Sequence, residues 1–297
     1  MALSKTTTGD LFILSEACLW GLLPVVITLS YFSISPVASL FFSTFFATLF
    51  LGGWLTINKQ WSQLLIKEAW FDILLVTLLL AVLYYAFYFT GLKYTTPNNV
   101  SIIALSESFF SYLFFQLWKK EYFSTRHLIG SILILIGAMI VLLPKTSYWH
   151  MGDWFIVCAA MIAPLGNHFQ QKARRKVGSI ALLFARSLLA LPFLFVAMLY
   201  FSGVPSLLSM QHSFWFVIVN GCLLFGFSKI LWVEGIHRIP VTKAVALSSV
   251  APIFTILFSY LILKQSPTVW QLMAFIPIFF GLFLLTSNKK TAVALEQ

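Results

Sequence analysis

The second half of this chain repeats the first at a constant offset of roughly 144 residues, and the duplication limits what the chain can fold into. The segments that start at Gly91 and at Gly235 align without a gap. They match Gly91 with Gly235, Phe110 with Phe254, Leu113 with Leu257, Phe114 with Phe258 and Leu117 with Leu261. The register continues through Lys120 with Lys264, Leu128 with Leu272 and Gly137 with Gly281. Leu and Phe matches arise by composition in so apolar a chain, so the two glycine pairs and the unbroken register make duplication the better reading. The units are expected to be residues 1–148 and 149–297.

The chain is 60% hydrophobic and only 9% charged over 297 residues, with a mean hydropathy of +0.92. A soluble domain carries about 25% charged residues. No aqueous fold hides this much apolar surface, so the expected solvent is lipid and the expected class is an all-α polytopic membrane protein. A barrel would alternate polar and apolar residues, whereas these segments are apolar all round. Cys18, Cys158 and Cys222 fall inside predicted spans without metal or redox spacing, and read as small buried apolar side chains. No phosphate loop or sizeable soluble domain is visible, so any uphill work would draw on a gradient, and no cofactor or metal is expected.

Apolar windows of about 20 residues, each long enough to cross hydrocarbon, give ten expected transmembrane helices. Their bounds are roughly 10–30, 36–57, 70–91, 97–118, 126–143, 152–171, 179–200, 212–234, 240–262 and 267–286. The first is read as a retained helix, not a cleaved leader. Turn formers separate the windows: Ser35-Pro36, Thr96-Pro97, Pro144, Gly178, Gly203 with Pro205, and Ser266-Pro267. With the N-terminus inside, the inner side receives Lys5, Lys59, Lys67, Lys119, Lys120, Arg126, Lys172, Arg174, Arg175, Lys176, Arg238, Lys289 and Lys290. The outer side receives Lys93, Lys145 and Lys264, a bias of about 13 to 3 that places both termini in the cytoplasm. The net charge of +10 thus reflects orientation and calls for no nucleic-acid partner. A five-helix unit is odd, so its second copy inserts upside down. The fold expectation is two inverted five-helix repeats around a central cavity near the midplane.

The residues CLWGLLPVVI, with Trp20, Gly21 and Pro24, and the stretch SSVAPIFTILFSYLILKQSPTVWQLMAFIPIFFGLFLL, with Pro252 and Gly281, carry a resemblance. Over nearly its whole length the chain resembles the EamA-type carriers of the drug/metabolite transporter superfamily. It departs from their pattern where Ser108, preceded by Glu107, stands at the proline position of the fourth helix. It departs again near Ser43, where the second helix has no arginine while the seventh has Arg186, and at APLGN, where the sixth lacks a tryptophan. The resemblance implies a cavity lined by helices one to four and six to nine, with the fifth and tenth as outer support. It also implies movement of small metabolites, often outward, without naming one.

Charges inside hydrocarbon cost about 2.5–3.5 kcal/mol each on insertion scales and normally face a cavity or a partner. The candidates are Glu16, Glu107, Arg186 and Lys229. At about 1.5 Å per residue, Glu107 falls near the middle of its helix, and the other three fall roughly 5–9 Å toward the cytoplasm from theirs. Lys229 is then better placed to pair with Glu16 than with Glu107, and the pair reads either as a packing device or as a substrate or gate contact. Arg186 reads as a structural partner or a snorkelling side chain. Glu107 reads as a coupling or substrate-amine site, or as a protonated hydrogen-bonder, and Ser111, one turn away on the same face, serves either reading. Trp20 and Pro24 share a face with Glu16, Tyr84 shares one with Tyr88, and Asn167 with Gln171. Pro24 and Pro252 are expected to break or kink their helices. Ser248 opens toward the cavity from the ninth helix, Lys243 snorkels, and His168 is a polar boundary residue. The leading expectation is a secondary or facilitative transporter of small metabolites, amino acids or related amines, working by alternating access with protons as the candidate coupling ion. A monomer suffices for that mechanism, and a dimer stays open. The alternatives are a non-transporting membrane subunit or sensor with the same fold, and a membrane-embedded enzyme, which the absence of clustered acids or histidines disfavours.

Overall fold

A computed structural model describes residues 4–117, 125–141 and 151–286, and among these no residue is in a strand. Lys119, Lys120, Pro144, Lys145, Lys289 and Lys290, counted above for turns and orientation, lie outside the described residues. The first helices start where the local chemistry supplies a cap. Ser4 accepts from the Thr7 amide at 3.1 Å ahead of α1 (Lys5–Ser30), and Ser35 from the Ala38 amide at 3.1 Å ahead of α2 (Pro36–Ile57). Thr96 does the same for Asn99 at 3.2 Å ahead of α5 (Pro97–Ala104). Each cap satisfies one of the four amides a helix start leaves unpaired, and proline at the first position gives up no bond.

Among the described residues, six stretches are long and apolar enough to cross a membrane: Thr6–Ser30, Pro36–Ile57, Lys67–Lys93, Ser179–Phe201, Leu207–Arg238 and Val241–Leu263. The chain is a multi-pass membrane protein. α7 (Thr125–Ile140) and α14 (Val269–Thr286) are apolar but shorter, and α8 (Met151–Arg174) is long but carries a polar face with Asn167, Gln170 and Gln171.

Two expectations of continuous helix fail at related places. The fourth expected helix is divided into α5 and α6 (Glu107–Leu117) by a turn at Leu105-Ser106, and the ninth into α12 (Val241–Ser248) and α13 (Ala251–Leu263) by a turn at Ser249-Val250. Glu107 is therefore the first residue of a half-helix and not the middle of a whole one. Pro252 stands in the first turn of α13, where its missing amide costs nothing. Pro24, by contrast, makes no break: α1 runs through it, and the Thr28 hydroxyl donates to the Pro24 carbonyl at 2.8 Å.

Two other spans change pitch. π-helix occupies Thr77–Tyr84 between α3 (Trp70–Val76) and α4 (Tyr85–Lys93). It also occupies Val219–Phe227 between α10 (Leu207–Ile218) and α11 (Ser228–Arg238). An i→i+5 stretch advances the side-chain phase relative to a 3.6-residue helix, so neighbours that an α-helix would splay are turned together.

The glycines matched in sequence sit at helix crossings. A Cβ on Gly91 would meet the Gly152 carbonyl of α8 at 2.8 Å, and one on Gly137 the Ala274 carbonyl of α14 at 2.8 Å. A Cβ on Gly281 would meet the Gly130 carbonyl of α7 at 2.5 Å, and Gly235 faces Ile13 and Gly9 of α1. Gly21, beside Trp20, lets α1 approach α13 until a Cβ would stand 2.8 Å from the Ala251 carbonyl. These close approaches bring α1 against α11 and α13 and α7 against α14, while α8 packs on the third span and on α5 and α6.

Candidate functional site

Where these elements meet, several buried polar and charged side chains gather around one chamber. Glu16 and Trp20 come from α1, Tyr84 and Tyr85 from the third span, and Glu107 from the start of α6. Asn167 and Gln170 come from α8, Arg186 from α9 (Ser179–Phe201), Lys229 and Trp232 from α11, and Ser248 from the end of α12. A second chamber adjoins it, lined by Pro24, Tyr88, Ser101, Ser108 and Pro252 among others. Trp20, Tyr84, Glu107 and Ser248 line both and form the partition between them. Both helix breaks open onto the second chamber, through Ala104, Leu105 and Glu107 on one side and Ser248, Ala251 and Pro252 on the other. Non-helical backbone at membrane depth is tolerated where it lines such a cavity.

Glu16 and Lys229 form an ion pair at 2.5 Å, with side chains only 2% and 9% exposed. The Lys229 ammonium also stands over the Trp20 ring, 3.3 Å from its centroid, and 5.7 Å from that of Trp232. Glu107 accepts from the Asn167 amide at 2.9 Å, and the Asn167 oxygen accepts from the Trp232 indole at 3.2 Å, so a chain of neutral donors orients the carboxyl. Trp20 packs against Tyr85 and Tyr88, with centroids at 6.4 and 6.0 Å, and Tyr84 stacks on Tyr88 at 5.8 Å. The eight residues expected at a binding or coupling site therefore line one chamber or the other, with Tyr88 in the second only.

Other expectations change. Gln171 does not join Asn167 in the chamber: its amide donates to the Ile236 carbonyl at 2.5 Å and ties α8 to α11, and Gln170, one position earlier, takes the cavity. Lys243 is paired, reaching Asp10 at 2.7 Å. Ser111 is buried but lines neither chamber, and His168 lies against the rings of Phe114 and Phe115. Sequence reasoning missed Tyr85, Gln170 and Trp232. The π-helical turn brings Tyr85 beside Tyr84, and a helical wheel of α8 alone gives no reason to prefer Gln170 over Gln171.

Further ion pairs join the ends of the spans expected to face the cytoplasm. Buried Asp72 holds Lys176 at 2.6 Å and Lys172 at 3.2 Å. Glu234 gathers Arg174 at 2.8 Å, together with Arg238 and the Ser179 hydroxyl.

Comparison with known proteins places these residues in a wider context. The model of the EamA-like transporter family matches the chain twice, over residues 7–143 and 150–287. An uncharacterized transporter of Synechocystis sp., sll1164, is 21% identical over 245 residues, covering 77% of this chain and 69% of that protein. The uncharacterized transporter YoaV of Bacillus subtilis is 22% identical over 282 residues, covering 92% and 95%. A solved structure described as "Crystal structure of protein" superposes with a TM-score of 0.72 at 18% identity, covering 98% of this chain and 99% of that one, which shows a shared fold.

Proposed function

The chain belongs to the EamA-like transporter family and is a membrane transporter; we propose that it carries small polar metabolites, foremost amino acids or related amines, by alternating access. The observation that carries the reading is the chamber itself. It is lined by aromatic side chains with a few convergent polar groups, as small-molecule sites are. It gathers ionisable groups that hydrocarbon would otherwise exclude. Glu107, oriented by Asn167, takes the cargo's ammonium or, in its absence, a proton. Trp20, Tyr84, Tyr88 and Ser248 form the walls past which the cargo moves, and the Glu16–Lys229 pair holds α1 to α11 on one side of the chamber.

We further propose ten spans arranged as two inverted five-helix repeats, residues 1–148 and 149–297. Four observations support this. The family model matches once in each half. The helix breaks at Leu105-Ser106 and Ser249-Val250 are separated by the repeat offset. One span of each half has a π-helical stretch, and the matched glycines occupy helix crossings. Net flux is outward across the cytoplasmic membrane, both termini are inside, and one chain suffices.

The test is counterflow in proteoliposomes against a panel of amino acids, amines and nucleotide derivatives, with and without an imposed proton gradient. Saturable flux of at least one amino acid or amine is expected, and its response to the gradient should vanish in Glu107→Gln. A panel without saturable flux refutes the cargo reading. A Glu107→Gln variant that still responds to the gradient refutes proton coupling at that residue.

A further inference from the structure

We propose that Arg186 forms an anion subsite in the polar chamber that takes a carboxylate of the cargo, so that zwitterions are selected over plain amines. The proposal rests on the transport reading above and narrows it. Among the described residues, Arg186 is the buried cation of this chamber without a counter-ion. Lys229 is neutralised by Glu16 at 2.5 Å, whereas among the described residues no carboxylate forms an ion pair with Arg186. Its contacts among the described residues are neutral: Nη1 donates to Gln170 Oε1 at 2.6 Å, and the guanidinium is hydrogen-bonded to the Tyr85 hydroxyl. Its Nε is buried without any hydrogen-bond partner. A guanidinium offers five donors in a rigid plane, and its edge matches the two oxygens of a carboxylate. An unpaired charge held out of water is destabilising unless something arrives to compensate it.

Glu107 lines the same chamber, accepts from Asn167 and, among the described residues, forms no ion pair with Arg186. A cargo with an ammonium at one end and a carboxylate at the other supplies both missing counter-charges at once. A plain amine leaves Arg186 uncompensated. A phosphate offers the same oxygens but brings a second negative charge into a chamber that already holds two carboxylates, Glu16 and Glu107.

The experiment uses the purified full chain in nanodiscs. Leucine is compared with isopentylamine, which keeps the side chain and loses the carboxylate, and acetate is compared with inorganic phosphate at ionic strength matched with chloride. Binding is read from intrinsic fluorescence and the thermal unfolding midpoint. A lost charge-assisted hydrogen bond of about 1.5–3 kcal/mol corresponds to roughly tenfold or more in affinity. Leucine is therefore expected to bind at least about tenfold more tightly than isopentylamine, and acetate to stabilise the protein more than phosphate does. In Arg186→Gln the preference should fall below about threefold, whereas Arg186→Lys, which keeps the charge but not the fork, should retain it at lower affinity. Equal binding of leucine and isopentylamine by the unaltered protein, an undiminished preference in Arg186→Gln, stabilisation by phosphate equal to that by acetate, or no response to any probe overturns the subsite. The expected binding pattern without flux of either compound in liposomes refutes the transport reading and leaves the subsite standing.

Discussion

Removing one member of the Glu16–Lys229 pair should cost more than removing both. The pair is 2.5 Å long, its side chains are 2% and 9% exposed, and α1 and α11 meet across it. Glu16→Gln strands a buried ammonium, and Lys229→Met strands a buried carboxylate; losing one partner of such a pair costs about 3–5 kcal/mol. The double variant strands neither charge. What it gives up is mainly the ammonium over the Trp20 ring at 3.3 Å, worth about 2 kcal/mol when desolvated. It should therefore be more stable than either single variant, with a coupling energy of at least ~3 kcal/mol in the cycle. The assay is reversible unfolding in mixed micelles titrated with dodecyl sulfate and followed by tryptophan fluorescence. Single costs that add to within about 0.5 kcal/mol in the double variant would refute the pairing, because independent sites behave that way.

Gly281→Val should destabilise by about 1–3 kcal/mol in the same assay, since even a Cβ there meets the Gly130 carbonyl at 2.5 Å; an unchanged midpoint would contradict the α7–α14 crossing. In a variant lacking Cys18, Cys158 and Cys222, a cysteine replacing exposed Arg175 should react with an impermeant maleimide only after the cells are opened. A cysteine replacing exposed Ser206 should react in intact cells, and the reverse pattern would invert the proposed topology.

Much of the site was legible because the membrane penalises charge so heavily. Glu16, Glu107, Arg186 and Lys229 stand out in apolar windows wherever the window ends are drawn, and all four reach one chamber. The pairing of Lys229 with Glu16 also followed from depth, since both lie at similar distances from their helix midpoints. What failed was phase. Gln171 and Gln170 differ by about 100° on a helical wheel, and only the packing of α8 against α11 and the third span decides which of them sees the cavity. Tyr85 was lost for a related reason, because the π-helical turn before it shifts the register on which side-chain spacing was reckoned.

By itself the sequence determined the solvent, the helical class and where the long apolar stretches lie, because each follows from transfer free energy along a single line of residues. It did not determine every place where helices stop inside the membrane. Pro252 signals the break at Ser249-Val250, but Leu105-Ser106 carries no such local signal, and an interrupted helix is stable there only because the freed backbone faces a chamber built by distant segments. Nor did it determine that Arg186 would lie buried against Gln170 with Nε unpartnered. Whether a long cationic side chain reaches water or turns inward depends on what neighbouring helices leave open, and that is a property of the assembled bundle alone.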